Sequence, residues 1–73
     1  FLLRDEGKVS HVIGSVIRGY LPGVMLGSLC QIDSIDEKKS VLAEVVGFQG
    51  QEVLMMAFSD LIGIGPGSRI ILL

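Results

Sequence analysis

His11, Cys30, Glu44 and the run Gly63-Ile64-Gly65-Pro66-Gly67-Ser68 are the places where this sequence could do chemistry. His11 is the only histidine, and no cysteine pair lies near it. A metal site needs several ligands, so a structural or surface histidine is expected. Cys30 follows Leu29 in an apolar run, with no cation or histidine beside it to favour a thiolate. It reads as a small buried hydrophobe. Glu44 stands between Ala43 and Val45 in an otherwise apolar segment. An unpaired buried carboxylate is costly. Glu44 is therefore either solvated on an outer face or in contact with a neighbouring subunit or domain. Acid–base catalysis would need a second carboxylate or a histidine at matching spacing, and neither is there.

The glycine-rich run is only superficially a phosphate loop. A P-loop needs Gly-x-x-x-x-Gly-Lys-Ser/Thr with a helix behind it. Here Arg69 follows Ser68 and leads into a strand-like run, and the Gly-x-Gly-x-x-Gly pattern fails because its third glycine comes one position early. A tight structural turn is expected. Met55-Met56 should place one side chain inward and one outward on an ordinary strand. The residues thus predict no catalytic, cofactor or metal site, and one candidate contact residue, Glu44.

The elements that carry these residues have no sustained helical period. Apolar and β-branched runs alternate with glycine, proline or charged clusters, which is the layout of short strands. The expected strands cover residues 8–18, 28–35, 41–48, 51–58 and 68–73. In the first, Val9, His11, Ile13 and Ile17 share one parity, and Gly14 marks a bulge or tight bend. Pro22-Gly23 and Gln49-Gly50 are turns, Asp36-Glu37-Lys38-Lys39 is a solvated hairpin tip, and residues 59–67 hold one short turn begun by Ser59 or Asp60. Bends at Gly14, Gly27 and Gly47 suit a strongly coiled small sheet. The fold class expected is all-β, a small closed antiparallel β-barrel of about six strands, because closure removes exposed edges. No internal repeat is evident.

Composition limits the partners. The chain has 73 residues, 49% hydrophobic and 19% charged, with a net charge of −2. A body this small hides only about 60% of its unfolded surface, so this much apolar surface predicts a covering neighbour. Arg4, Lys8, Arg18, Lys38, Lys39 and Arg69 are scattered, which excludes a basic stripe for nucleic acid. No apolar run reaches the ~18 residues of a membrane-spanning helix. The single cysteine excludes an internal disulfide and is compatible with a reducing compartment. The apolar ends, Phe1-Leu2-Leu3 and Ile70-Ile71-Leu72-Leu73, predict a piece of a longer protein.

One ordered set of residues resembles a family: Gly14, Leu21-Pro22-Gly23-Val24, Gly27-Ser28-Leu29-Cys30, Ala43-Glu44-Val45-Val46-Gly47-Phe48, Leu54-Met55-Met56, Gly63-Ile64 and Pro66-Gly67-Ser68-Arg69-Ile70. This pattern is similar to the N-terminal β-barrel domain of the type III secretion ATPase. The flagellar export ATPase and the α and β subunits of rotary ATP synthases share that domain. Ser28 departs from the glutamate common in the secretion branch, and Ala57 from the usual proline. The resemblance implies that residues 1–73 are a single N-terminal oligomerisation domain of a homo-hexameric ATPase, inactive by itself. The parent's ATP and Mg²⁺ would bind in a following domain. The parent would be cytoplasmic, peripheral at the inner-membrane base of the apparatus. There it would work with stator proteins to release chaperones from effectors and unfold export substrates. The equivalent flagellar barrel and a free-standing ligand-binding barrel are the alternatives.

Overall fold

A computed structural model describes residues 6–73; the apolar start at Phe1-Leu2-Leu3 and the cation Arg4 lie outside them. Six strands follow in order: β1 (Glu6–Ile13), β2 (Val16–Tyr20), β3 (Leu29–Asp33), β4 (Ser40–Gln49), β5 (Glu52–Ala57) and β6 (Arg69–Leu72). All neighbours are antiparallel, and the sheet closes in the order β1-β2-β5-β4-β3-β6. The expected closed six-stranded barrel is what forms. Alternation along each strand sends Val9, Ile17, Cys30, Ile32, Ala43, Val45, Val53, Met55 and Ile70 into the interior, where they make one buried cluster.

The first expected strand is instead a hairpin. Gly14-Ser15 is a two-residue turn between β1 and β2, with Ile13 opposite Val16 and Gly14 at φ 60°. Positive φ at the first central position fits a type II′ turn, whose twist matches that of the flanking strands. Parity also breaks earlier. A bulge between Val9 and His11 adds Ser10 to β1, so Val9 and Val12 serve the core while His11 and Ile13 are exposed. Residues 59–67 hold two β-turns in place of one turn. Ile64 N donates to Leu61 O (3.1 Å) and Ser68 N to Gly65 O (3.0 Å), with Gly63 and Gly67 at positive φ.

The barrel contains the internal repeat that the sequence conceals. β1-β2-β3 superimposes in topology on β4-β5-β6: exchanging the halves reproduces the same closed order read backwards. The registers agree residue by residue. Lys8 opposite Tyr20 corresponds to Glu44 opposite Met56, and His11 opposite Arg18 to Gly47 opposite Leu54. Both long strands are bulged at the same place, after Val9 and after Val45. The positive-φ glycines fall into equivalent pairs: Gly14 with Gly50, Gly23 with Gly63, Gly27 with Gly67. Gly27 N and Ser28 O bond to Val45 just as Gly67 N and Ser68 O bond to Val9. In each loop the serine hydroxyl accepts from a backbone N–H three residues earlier, Met25 N (3.1 Å) and Gly65 N (3.2 Å). These pairings define an approximate twofold axis through the Arg18–Leu54 and Gln31–Ile71 pairs.

Candidate functional site

The expected chemistry settles into place strand by strand. Cys30 is fully buried, and burial pushes its thiol pKa up, away from the reactive thiolate. Met55 is buried and Met56 exposed, as alternation requires. The Gly63–Ser68 run is a turn closed by its own backbone and by the Ser68 hydroxyl. The barrel interior is filled by side chains, and the described residues enclose no pocket.

Two polar clusters lie on the outer surface, and sequence reasoning missed both. In the first, the bulge turns Ser10 outward, where its hydroxyl donates to Glu52 Oε2 or to the Arg18 carbonyl (3.1 Å). Arg18 Nη2 donates to Glu52 Oε1 at 2.6 Å, and His11 Nδ1 lies 3.1 Å from Ser10 Oγ. The Ser10 hydroxyl, then the Arg18 guanidinium, hold the Glu52 carboxyl below the usual range. This set couples β1, β2 and β5. In the second, Arg69 Nε and Nη2 donate to Asp33 Oδ2 (3.2 and 2.9 Å), and Gln31 Nε2 donates to Oδ1 (3.1 Å). Gln31 and Arg69 hold the Asp33 carboxyl low, and Asp33 raises the Arg69 pKa. Both clusters fasten strands that are neighbours in the barrel but distant in the sequence. His11 therefore sits on the surface beside a serine. Among the described residues no group of three or more His, Cys, Asp or Glu side chains could hold a metal ion.

Glu44 is a different case. It projects from the outer side of β4, half-buried, directly between Leu29 on β3 and Met56 on β5. Residues opposite each other on neighbouring strands share a face. Leu42, two positions back on that face, lies beside Phe58, whose N–H donates to the Leu42 carbonyl at 2.9 Å. Leu29, Leu42, Met56 and Phe58 are all substantially exposed, Phe58 at 63%. Among the described residues Glu44 makes no ion pair or side-chain hydrogen bond. It is one carboxylate in an apolar wall. Such a wall can bury hydrophobic area against a partner and select that partner by charge.

Comparison with known proteins agrees with the architecture. Residues 9–73 match the ATP synthase alpha/beta family, beta-barrel domain. The chain is 41% identical over 63 residues to the flagellum-specific ATP synthase of Bacillus subtilis, covering 85% of this chain and 14% of that protein. It is 36% identical over 67 residues to the SPI-2 type 3 secretion system ATPase of Salmonella typhimurium, covering 92% of this chain and again 14% of that protein. A 12.2 kDa protein in the lcrE 5′ region of Yersinia enterocolitica is 30% identical over 69 residues, 94% of this chain and 63% of its own length. The closed six-stranded barrel, its filled interior and the match over residues 9–73 together place this chain in the ATP synthase alpha/beta family, as its β-barrel domain.

Proposed function

We propose that this chain is the N-terminal, non-catalytic barrel of a hexameric ATPase that energises type III protein secretion, and that it holds neighbouring subunits together. The observation that carries the reading is the outer wall of β4, where Leu29, Leu42, Met56 and Phe58 surround Glu44. A folded surface that leaves such a patch uncovered favours a partner. Similarity to the N-terminal 14% or so of secretion and flagellar ATPases supports the reading that the partner is a further copy of the same chain. In this reading ATP and Mg²⁺ bind in a following domain, with chaperone release and substrate unfolding driven from there. The parent is cytoplasmic, at the inner-membrane base of the apparatus, against stator proteins.

Two neighbouring readings have specific support. The 41% identity to the Bacillus subtilis protein favours the flagellar version of the same assembly role. The match to a 12.2 kDa protein favours a barrel that works without an attached catalytic domain. Immunoblotting of the natural polypeptide separates the last from the others by mass. The assembly role is tested by Glu44→Arg in the natural protein. Oligomer size by sedimentation should fall while the melting temperature of the barrel stays within a few degrees of wild type. Equal loss of folding and assembly would refute the contact role. ATP binding by the barrel alone at micromolar concentration would refute its non-catalytic assignment.

A further inference from the structure

The halves of the repeat, β1-β2-β3 and β4-β5-β6, interlock. Only the β1–β2 and β4–β5 ladders lie within a half. The β2–β5, β3–β4, β3–β6 and β1–β6 ladders all join one half to the other. The third strand of each half is held wholly by the opposite half: β3 by β4 and β6, and β6 by β3 and β1. Alone, each half is a hairpin with a detached strand, and a hairpin by itself is marginal in water. What each half lacks is the other half. A single connection joins them, the hairpin tip between Asp33 and Ser40. Ile35 through Lys39 are exposed there, so the tip lends no side chain to the core. Glu37 takes φ 60° in it, a left-handed conformation that L residues adopt only at a cost.

We propose that two copies of the chain exchange halves about this tip. β1-β2-β3 of one copy closes with β4-β5-β6 of the other, and the reverse, which gives two complete barrels joined by two extended connectors. Every ladder and the whole filled core are remade in the exchanged dimer. Only the turn at the tip is given up. Ser34 N donates to Lys39 O (2.8 Å) and Glu37 N to Ser34 O (2.9 Å) in that turn, and opening it releases Glu37 from positive φ. β3 ends and β4 begins at the same end of the barrel, so the two barrels meet by that end. The extended tip reaches about 20 Å, enough to pass from one barrel into the next. Charge favours a second copy as the partner. The two connectors are related by a twofold axis and run antiparallel. Crossing between Glu37 and Lys38 sets Asp36 beside Lys39 of the other copy and Glu37 beside its Lys38. The run Asp36-Glu37-Lys38-Lys39 is therefore complementary to itself in that direction. In the closed barrel these four side chains make no ion pair with one another among the described residues. Exchange follows from register and connectivity, and holds whether or not the outer walls associate.

Val16 and Met56 stand opposite each other on β2 and β5, one in each half, and are not part of the buried core. Directly opposed residues lie within disulfide reach, and native Cys30 is buried. Chains carrying Val16→Cys and chains carrying Met56→Cys are mixed, unfolded in urea, refolded in concentrated solution and oxidised. Covalent dimers containing one of each should form, and neither chain alone should give them. The same chains mixed after folding should give none, because exchange requires the ladders between halves to open. A chain with both substitutions, refolded dilute, should close the disulfide within itself. Sedimentation of the unsubstituted chain after concentrated refolding should show a dimer that persists on dilution. Lys38→Glu with Lys39→Glu sets like charges side by side in the crossing and should lower the dimer fraction roughly tenfold. Only monomers after concentrated refolding overturn the exchange. So does a mixture that fails to cross-link while the doubly substituted chain closes its own disulfide. Equal cross-linking of chains mixed after folding also overturns it, since that reports outer walls in contact. An unchanged dimer fraction in the charge variant overturns the antiparallel crossing of the connectors.

Discussion

Two glycines in this barrel should respond in opposite ways to the same added methyl group. Gly19 lies in β2 facing the interior, and a Cβ there would sit 2.6 Å from the Lys8 carbonyl oxygen and 2.8 Å from Ile70 Cδ1. Ordinary contact starts near 3.4 Å, so both neighbours would have to retreat by more than half an ångström. Neither can do so easily. Lys8 is held by its pairing with Tyr20 and with Arg69, and Ile70 is fully buried against the rest of the core. Overpacking of this kind costs about 1–3 kcal/mol, and a backbone obstacle argues for the upper end. Gly47, at the bulge of β4, would place its Cβ 3.5 Å from Leu54 Cδ1 and 3.9 Å from Leu54 Cβ, an ordinary contact. Its replacement by alanine should stabilise by ~0.4–1 kcal/mol, by restricting the unfolded chain. The two variants should therefore differ by roughly 3 kcal/mol, or at least ~12 °C in melting temperature for a domain this small. Thermal and urea unfolding followed by far-ultraviolet circular dichroism measures the difference, with similar m-values showing that the unfolded states are comparable. Melting of Gly19→Ala within a few degrees of Gly47→Ala would refute the packing argument.

The other predictions concern burial, pH and reactivity. Ile17→Ala should cost about 2–5 kcal/mol, because Ile17 is fully buried; Ile13→Ala, at a 58% exposed position, should change stability by less than ~0.5 kcal/mol, and equal urea midpoints would be the contrary result. Glu52 has a lowered native pKa, so its ionised form stabilises at neutral pH, and that contribution disappears as pH falls below the ordinary carboxylate value of ~4.3 toward the native one. Glu52→Gln should thus be less stable than wild type at pH 7, with the gap narrowing as pH falls below the ordinary carboxylate range; a gap of constant size would exclude the ion pair as its source. The buried Cys30 thiol, with its raised pKa, should resist iodoacetamide at pH 8 until urea unfolds the chain. Free-thiol rates in native buffer would contradict its placement.

Local structure was legible wherever a residue type carries its own constraint. Gly and Pro fixed the turns around residues 22–23, 49–50 and 65–68, and the charged run at 36–39 marked the β3–β4 tip. The strands containing Cys30, Glu44 and Met55 follow from alternation. The first hairpin was missed because Ile13-Gly14-Ser15-Val16 has no polar cluster to interrupt it. Bulging at Ser10 was equally hidden, since one added residue changes no residue type yet reverses every side chain after it. With that reversal went the Ser10–Arg18–Glu52 cluster, whose members are far apart in sequence and meet only when β1, β2 and β5 are adjacent.

The amino-acid sequence by itself determined the strand-and-turn grammar, the inward Cys30, the opposite facing of Met55 and Met56, and the isolation of Glu44 in an apolar strand. These depend on side-chain alternation and on backbone φ preferences, which act within a few residues. The twofold symmetry depended on tertiary structure. Leu21, Gly23, Gly27 and Ser28 recur as Leu61, Gly63, Gly67 and Ser68, but the strands between have drifted, and the second half is four residues longer after β5. A barrel core accepts many apolar combinations at equivalent positions: Gly19 and Cys30 in one half answer to Met55 and Ile70 in the other. Hydrogen-bond register preserves the repeat that residue identity has lost, because pairing is made by the backbone. Only that register shows Lys8 and Glu44 as counterparts on opposite walls.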